Sequence, residues 1–402
     1  MEYITIGELL KNGDVEITTG PFGTQLKASE YQPTGTPVLN VKNIGFGAVV
    51  TAKLDRVGDE TIKRLQRHVL HTGDIVFGRK GAVERHAYIA ENEDGWMQGS
   101  DCIRLRVKSD KYNSRFMSYV FMTKKHCDFM ISMCSHGTTM ASLNQGILEK
   151  IVIPHIPIDE QNRIVSVLST LDNQIIINEQ INDNLEQQAA AMFREIFISQ
   201  ADPSWVEGTI SDLGTVVGGS TPSKAKSEYY TEHGIAWITP KDLSVDKSKF
   251  ISHGADDITE LGLQNSSASI MPKGTVLFSS RAPIGYMAIA DGDVTTNQGF
   301  KSVVPHAHVG TAFVYYFLKN ALPIIEGMAS GSTFKEISGS AMRTVPAIIP
   351  DEATLCKFSS FCDPLFRQQR TLEKQNRELA SIRDTMLPKL MSGEIDVSSI
   401  PL

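Results

Sequence analysis

The sequence predicts an α+β fold with two tandem, similar globular domains, each followed by a long amphipathic helix, and with the two helices pairing as an antiparallel coiled coil. Two observations lead to this prediction. Short motifs of the first half recur in the second half at an offset close to 200 residues, and each half ends in a heptad pattern. Self-similarity of this kind is typical of a duplicated structural unit.

The repeat consists of short motifs that occur in the same order in both halves. The matching pairs are Gly20 and Ser29–Tyr31 with Gly218 and Ser227–Tyr229, Val38–Asn43 with Trp237–Asp242, Gly73–Phe77 with Gly274–Phe278, Gln98–Gly99 with Gln298–Gly299, and Gly137 and Thr139 with Gly331 and Thr333. Each match alone is weak, but their shared order over about 190 residues indicates a duplication.

Each copy begins with short β-branched and apolar runs between turn residues, which predict strands. These runs are Val38–Val41, Asp74–Phe77, Cys102–Val107, Val276–Phe278 and Ser302–Val304. Helical stretches follow at Ser114–Met133 and Ala312–Gly327, and then come proline-bearing connectors. We therefore predict globular domains at residues 1–157 and 203–350, and long helical segments at 158–202 and 351–402.

The first long helix has apolar and amide residues at alternating steps of four and three, which is the a/d seam of a coiled coil. Its seam positions are Ile164, Leu168, Leu171, Ile175, Asn178, Asn182, Leu185, Ala189, Met192 and Ile196. A shift of 194 gives the second seam, Phe358, Cys362, Leu365, Gln369, Leu372, Asn376, Leu379, Arg383, Met386 and Leu390.

Buried asparagines in such seams fix register. We therefore expect Asn182 and Asn376 to do so, and we expect Pro388 to break or end the second helix. The alternative is two ordinary core helices, one in each domain.

The net charge of −7 is unusual for a DNA-binding protein. Most of it comes from residues 158–202, which carry eight acidic and only two basic residues. This segment is unsuited to phosphate, whereas the flanking blocks are close to neutral and leave room for local basic faces. No apolar run predicts a membrane span or signal peptide. The five cysteines form no C-x-x-C pair, which favours a cytoplasmic protein without zinc.

The sequence lacks recognisable catalytic motifs. It has no amino-methyltransferase loop of the form Asp/Asn-Pro-Pro-aromatic, no phosphate-binding P-loop, no strand-linked G-x-G-x-x-G and no H-E-x-x-H or G-x-S-x-G. None of its 23 lysines follows an acidic residue by two positions, as the common Mg²⁺ nuclease site requires. We therefore predict that the chain is not an enzyme and binds no metal.

The chain resembles, over nearly its whole length, the specificity subunits of type I restriction–modification enzymes. The second connector departs from the family pattern at Ala353, where glutamine is usual. The residues that carry the resemblance are Thr19–Leu26 with Gly218–Ser223, Gly73–Gly81 with Gly274–Arg281, Ile151–Pro154 with Asp159–Ile164, and Met386–Ile395.

The resemblance implies a DNA-binding subunit in which residues 1–157 and 203–350 are target-recognition domains. Each domain reads one half of a split double-stranded target, while the helices act as a coiled-coil spacer that sets the gap between the halves. It also implies that the helices dock modification subunits, which bind S-adenosylmethionine and methylate adenine, and that the complex recruits an ATP-driven restriction subunit. On this view S-adenosylmethionine, ATP and Mg²⁺ belong to partner subunits only, this chain holds no cofactor, and no membrane is involved.

Basic and hydroxyl residues in glycine-containing loops are our candidates for DNA contact, since such loops approach phosphates closely. In the first domain they are Lys27, Lys42, Arg79, Lys80 and Arg85, with Ser135, Thr138 and Thr139 in one loop. In the second they are Lys224, Lys241, Arg281 and Lys335, with Ser330 and Thr333. Two alternatives remain open: a DNA reader of another defence system, and a coiled-coil adaptor whose duplicated domains bind something other than DNA.

Overall fold

The computed structural model describes residues 2–23, 25–134, 141–281, 283–331 and 335–400. The chain divides into two compact units. Unit 1 contains Met1–Asn173 together with Leu379–Leu402, and unit 2 contains Gln174–Glu378. Each unit therefore includes part of both long helices.

Unit 1 contains three described sheets, and their strand orders are β2-β9-β6-β7, β3-β5-β4-β8 and β1-β10. The strands are β1 (Glu2–Thr5), β2 (Val15–Thr19), β3 (Tyr31–Gln32), β4 (Thr36–Leu39), β5 (Asp55–Val57), β6 (Ile75–Gly78), β7 (His86–Tyr88), β8 (Met97–Gln98), β9 (Cys102–Val107) and β10 (Val152–His155). The helices that precede the first long helix are α1 (Ile6–Asn12), α2 (Asp59–Arg64), α3 (Ser114–Met122), α4 (Lys124–Cys134) and α5 (Gln145–Leu148).

Two sequence predictions in unit 1 need correction. The strand expected at Val38–Val41 ends at Leu39, and Val41–Asn43 forms a 3-10 turn in which the buried Asn43 amide donates to the Val50 and Ala52 carbonyls. The helix expected over Ser114–Met133 is two helices, because Thr123 is extended and ends α3.

The core of unit 1 lies between the β2-β9-β6-β7 sheet and the helices that cover it. Phe77, Phe116 and Tyr119 are fully buried there. Leu387 and Leu390, from the last turns of the second long helix, are buried in the same core, and so is Val397. The core is therefore built from both ends of the chain.

Unit 2 repeats this plan, with strand orders β12-β20-β17-β18-β15, β13-β16-β14-β19 and β11-β21. The strands are β11 (Val206–Thr209), β12 (Gly214–Gly218), β13 (Tyr230–Thr231), β14 (Ile235–Ile238), β15 (Phe250–Ile251), β16 (Asp256–Ile258), β17 (Val276–Phe278), β18 (Met287–Ala290), β19 (Thr295–Thr296), β20 (Lys301–Pro305) and β21 (Pro346–Ile349).

The order of strands confirms the duplication. Removing the additional edge strand β15 leaves the same three sheets in the same chain order as in unit 1. Even the one parallel pair of the second sheet is repeated, with Val38 opposite Met97 in unit 1 and Trp237 opposite Thr295 in unit 2. The prediction of two similar mixed α/β domains is therefore confirmed.

The long helices are α6 (Ile158–Arg194) and α12 (Glu352–Ser392). The shorter helices of unit 2 between them are α7 (Ile210–Leu213), α8 (Pro240–Val245), α9 (Glu260–Gln264), α10 (Thr311–Met328) and α11 (Gly339–Arg343). Every predicted seam position is buried or half-buried, including Arg383 and Gln369. The heptad pattern thus correctly predicted which face of each long helix is buried.

The prediction that Pro388 breaks or ends the second helix is wrong, since α12 continues to Ser392. Proline removes one helical hydrogen bond, to the carbonyl of Asp384 four residues earlier. Both residues are exposed, so water can bind that carbonyl instead. The helix ends where Gly393 adopts a φ of +75°, a conformation that glycine accepts readily, and Glu394 N–H donates to the Lys389 carbonyl.

Within unit 2, residues of α6 and α12 contact each other in opposite chain directions. Asn178 Nδ2 donates to Asn376 Oδ1 at 2.8 Å, and Gln369 Nε2 donates to the Asn182 carbonyl at 3.1 Å. The Asn376 amide also donates to the Ile175 carbonyl. Asn376 is thus part of an amide pair, as expected of a register residue, but its partner is Asn178, while the Asn182 side-chain oxygen is buried without a described partner.

Candidate nucleic-acid interface

In unit 1, the chain just beyond β6 is held by main-chain hydrogen bonds on both sides. Arg79 N–H donates to the Asp101 carbonyl at 2.8 Å, and Leu143 N–H donates to the Arg79 carbonyl at 2.8 Å. Lys80 forms an isolated β-bridge with Ser142. Two predicted DNA contacts, Arg79 and Lys80, are thereby placed beside the chain that returns from the predicted loop at 135–139.

The side chains at this position differ in how they are held. The Arg79 guanidinium carbon lies 4.8 Å from the centre of the Phe22 ring, and Phe22 itself is 48% exposed. Lys80 Nζ lies 3.4 Å from an Asp101 carboxylate oxygen, and both side chains are more than half exposed. The position therefore combines two cations, one carboxylate and an exposed aromatic ring.

Lys42 lies in the turn Val41–Asn43, and the Val41 side chain would be 3.3 Å from a Cβ at Gly78, the last residue of β6. The Lys42 ammonium is 2.7 Å from Asp55, and the Asn40 amide donates to the same Asp55 oxygen. These bonds lower the pKa of Asp55, with the Lys42 contact as the largest cause. Asn40 in turn lies against Gly99, where a Cβ would approach the Asn40 side-chain oxygen to 2.3 Å, so only glycine fits at this position.

Lys27 and Arg85 are exposed but have no described contact that links them to Arg79. Arg85 lies 3.8 Å from its neighbour Glu84, and Lys27 precedes a 3-10 turn at Ala28–Glu30. Ser135, Thr138 and Thr139 lie outside the described residues. The structure thus places Arg79 and Lys80 directly after β6 and Lys42 in a turn that packs against the end of that strand, whereas no described contact links Lys27 or Arg85 to them.

Unit 2 repeats the main-chain frame with different side chains. Ser280 N–H donates to the Gly299 carbonyl at 2.7 Å, and Ile337 N–H donates to the Ser280 carbonyl at 3.1 Å. Ser280 therefore occupies the place of Arg79. Arg281 and Ser330, both predicted DNA contacts, each form a β-bridge with Glu336, so they are brought together here.

Glu336 connects two cations of unit 2, at 3.7 Å from Arg281 and 3.7 Å from Lys301. Lys241 is in the first turn of α8, beside Gly299, whose Cβ would lie 3.0 Å from Pro240. Lys335 is exposed directly before Glu336, and Lys224 is exposed after β12. Thr333 lies outside the described residues.

Sequence reasoning missed Phe22, Asp101 and Asp55 in unit 1, and Lys301 and Glu336 in unit 2. Phe22 carried a signal, because an aromatic residue between Pro21 and Gly23 has little chance of being buried in a core. The sequence contains no comparable signal for the carboxylates Asp101, Asp55 and Glu336. Their role depends on partners far along the chain that only the fold brings near.

The helices provide a second set of buried contacts, which hold each unit's globular part to its helical part. In unit 1, Asp172 of α6 accepts hydrogen bonds from Tyr119 Oη at 2.6 Å, from Arg115 at 3.0 Å and from Arg383 of α12 at 3.0 Å. One carboxylate therefore joins α3, α6 and α12.

In unit 2, Glu186 of α6 has the corresponding role. It accepts from Tyr316 Oη at 2.8 Å and pairs with Lys319 and with the buried Lys249. Burial raises the pKa of Glu186, but the two ammonium groups lower it more, so its pKa lies below the usual value and the group is ionised at neutral pH. Lys249 also donates to Gln369 of α12 at 2.8 Å, so this network likewise joins both helices.

The described residues include no helix that is both long enough and apolar enough to cross a membrane. They also include no group of three or more potential metal-ligating His, Cys, Asp or Glu side chains.

The chain is thus a protein with two copies of one mixed α/β domain, each followed by a long helix. The two copies share their strand order but carry different basic side chains in their loops. The chain belongs to the type I restriction modification DNA specificity domain family, whose sequence profile matches residues 4–187 and again 203–380. The two matches agree with the two copies of the strand order.

Named relatives support this assignment. The chain is 38% identical over 195 residues to the type I restriction enzyme MjaIX specificity subunit of Methanocaldococcus jannaschii, covering 47% of this chain and 44% of that protein, which is less than half of either. It is 21% identical to the HindI specificity subunit of Haemophilus influenzae, covering 89% and 94% of the two chains. The crystal structure of an S subunit from M. genitalium has the same fold, with 19% identity, a TM-score of 0.57 and coverage of 97% and 95%.

Proposed function

We propose that this chain is the DNA-reading specificity subunit of a type I restriction–modification complex, with residues 1–157 and 203–350 each reading one half of a bipartite double-stranded target. The observation that carries the proposal is one main-chain frame used twice with different side chains. Arg79 and Ser280 each have one backbone N–H and one backbone carbonyl bonded to neighbouring segments in the same way, but one side chain is a long cation and the other a short hydroxyl. Phosphate contacts position such a reader, and base contacts give it sequence preference.

The helices, on this proposal, pair as an antiparallel coiled coil and set the number of base pairs between the two half-sites. The opposed contacts of Asn178 with Asn376 and of Asn182 with Gln369 support the pairing. The carboxylates Asp172 and Glu186 support a fixed attachment of each reader to its helical part.

The same helices are proposed to dock the modification subunits, which methylate adenine with S-adenosylmethionine, and through them the ATP-dependent restriction subunit. Ile176, Ile177 and Ile181 of α6 support this, since they are between 36% and 48% exposed on a helix whose seam faces elsewhere. Exposed apolar residues grouped in this way are typical of a protein interface. The chain itself is proposed to contribute no catalytic group.

An exchange of domains tests this function. The complex reconstituted with its modification subunits is used to methylate genomic DNA, and methylated adenines are mapped. Replacing residues 203–350 with the corresponding block of a relative should change one half of the methylated sequence and preserve the other half and the gap. If both halves change together, or if the wild-type complex methylates no bipartite sequence, the proposal fails.

A second measurement addresses the absence of catalysis. The purified chain alone should bind DNA with an affinity that falls as salt rises, as phosphate contacts require. It should neither methylate nor cut DNA when supplied with S-adenosylmethionine, ATP and Mg²⁺. Methyl transfer by the single chain would contradict the non-catalytic assignment, and salt-independent or absent DNA binding would favour an adaptor that recognises another ligand.

A further inference from the structure

We infer that Arg79, held against Phe22, reads a guanine in one half of the DNA target, whereas its neighbour Lys80 contacts a phosphate. This inference rests on the proposed DNA-reading function and names the base and the residue. It starts from the different ways in which the two adjacent cations are held.

Arg79 is held at its backbone by two hydrogen bonds and at its guanidinium by an aromatic ring. Its N–H and carbonyl are both bonded to neighbouring chain segments at 2.8 Å. Its Nε is buried without a described partner, and its guanidinium lies 4.8 Å from the Phe22 ring centre. A cation over an aromatic face is attracted to the ring, so Phe22 holds the guanidinium in one orientation. A phosphate contact does not need such rigidity, but paired hydrogen bonds to a base edge do.

The charge environment points the same way. Lys42, Lys80 and Arg85 each lie within 4 Å of a carboxylate. Among the described residues, no carboxylate or carbonyl accepts a hydrogen bond from the Arg79 side chain. Its terminal nitrogens therefore remain available for an outside acceptor, and the partly exposed position beside Phe22 leaves them accessible. The O6 and N7 atoms of guanine are the acceptors that match an arginine fork in the major groove.

Lys80 has the opposite properties. Its side chain is 57% exposed, and its one described ion pair, with Asp101, is also exposed. Exposed pairs of this kind contribute little to stability, so Lys80 can exchange Asp101 for a phosphate at small cost. A flexible ammonium neutralises phosphate without selecting a base.

The duplication explains why this assignment concerns only one half-site. Ser280 occupies the frame position of Arg79 and presents a short hydroxyl that donates to the Gly299 carbonyl at 3.1 Å. In the loop that follows β12 of unit 2, Thr221 donates to Gln298, whereas Phe22 in the loop that follows β2 of unit 1 lies against Arg79. The same frame thus carries an arginine reader in unit 1 and none in unit 2, as two different half-sites require.

The test uses the full chain assembled with its modification subunits, incubated with duplex DNA that contains a randomised segment, followed by sequencing of bound DNA. R79K is the decisive variant because it keeps the charge and removes the fork. F22L keeps an apolar contact but removes the ring face, and K80A is the matched control for a phosphate contact. Thermal unfolding of each variant verifies that the fold is retained.

For R79K we expect the preference for guanine at one position of one half-site to fall on the order of 10- to 100-fold, with every other position and the salt slope unchanged. F22L should weaken preference at that same position. K80A should leave all preferences intact and reduce the slope of log affinity against log salt by about one.

Three results would overturn the inference. They are an R79K complex with unaltered preferences, a change at a position where the wild type does not select guanine, and relaxation of both half-sites together. A wild-type complex that selects no bipartite sequence would instead refute the proposed function itself. These outcomes are therefore distinguishable.

Discussion

Asn178 and Asn376 donate and accept one side-chain hydrogen bond of 2.8 Å between α6 and α12, at a seam position in each helix. A buried amide pair in a seam costs stability relative to apolar residues but fixes the register of the helices. Replacing only Asn376 with Leu leaves the Asn178 amide without its acceptor and should destabilise the protein by about 1–3 kcal/mol. The double variant N178L/N376L should recover most of that loss, as measured by urea unfolding.

The double variant has a second expected effect, which concerns register. Without the amide pair, the methylated adenines of the two half-sites should be separated by a less uniform number of base pairs. If the double variant is less stable than N376L, the loss in N376L does not come from the unpaired Asn178 amide. If the gap between half-sites stays uniform, other residues fix the register of the helices.

A paired insertion tests whether the helices set the gap. Four residues inserted after Gln180 and four after Thr371 fall between the same two interhelical contacts, so both flanks keep their partners. Each insertion adds about 6 Å at 1.5 Å per residue and turns the seam by only about 40° beyond a full circle. The methylated half-sites should be unchanged, while the gap grows by about two base pairs at 3.4 Å each.

Paired insertions of two residues are the control, since they turn the seam by about 200° and should impair folding or assembly. If the four-residue variant methylates the original sequence with the original gap, the helices do not measure the spacing.

The ion pair between Lys249 and Glu186 predicts a strong coupling. Lys249 is 8% exposed and lies 4.3 Å from the Phe366 ring centre, so its charge depends on Glu186. E186Q should therefore destabilise unit 2 by about 3–5 kcal/mol, because it leaves a buried ammonium unneutralised. Adding K249M to E186Q should restore much of the loss, since methionine suits the aromatic surroundings. A double-mutant cycle with urea unfolding measures the coupling, and additive losses would contradict it.

Two buried histidines predict sensitivity to mild acid. Burial lowers the pKa of His86 to about 3 and that of His126 to about 4. The unfolded chain protonates both near 6.5, so folded-state stability is full above pH 6.5 and decreases as the pH falls toward 4. His126 lies next to the Phe121 ring, so phenylalanine suits this position. Between pH 6.5 and pH 5, the free energy of unfolding of H126F should fall by about 2 kcal/mol less than that of the wild type.

Hydrogen exchange of the β9 amides, corrected for its intrinsic pH dependence, measures that difference in unit 1. Equal losses in the wild type and H126F would show that His126 is protonated in the folded state or does not stay buried.

Assembly with partner subunits should depend on the exposed isoleucines of α6. The variant I177S/I181S removes apolar surface one helical turn apart without altering a seam position. We expect it to weaken association with the modification subunits by at least 10-fold in sedimentation or titration calorimetry, while binding of DNA by the chain alone is unchanged. I382S, an equally exposed change on α12, tests whether the effect is specific to α6.

The duplication and the sheltered helix faces could be predicted from the sequence, because both depend on periodicity that the chain itself displays. The same reasoning failed at Pro388, where the missing hydrogen bond falls on an exposed carbonyl and is tolerated. It also missed Asp172 and Glu186, which read as ordinary solvated acids of an acidic helix. Asp172 bonds to Tyr119, 53 residues away, and Glu186 bonds to Tyr316, 130 residues away. A local sequence pattern cannot predict contacts over such distances along the chain.

Residue type and loop context selected the candidate DNA contacts, and the fold places these residues in different surroundings. Residue type and glycine content suggested Arg79 and Lys80, which follow β6 in unit 1, and Arg281, which follows β17 in unit 2. They also suggested Lys42, in the turn that packs against the end of β6. The same criteria also selected Lys27 and Arg85, which the described contacts leave apart. A basic residue in a loop shows only that it can reach an anion, whereas its neighbours decide whether it is held for that purpose.

The division of unit 1 between two stretches of chain determines when its core can form during translation. Residues 174–378 form unit 2 without interruption, so everything this unit needs has been synthesised before residue 379. The core of unit 1 instead includes Leu387, Leu390 and Val397, which leave the ribosome after all of unit 2. Residues 1–173 are therefore translated before unit 2 but complete their core after it, and until then their apolar surface is exposed to aggregation, from which chaperones protect nascent chains.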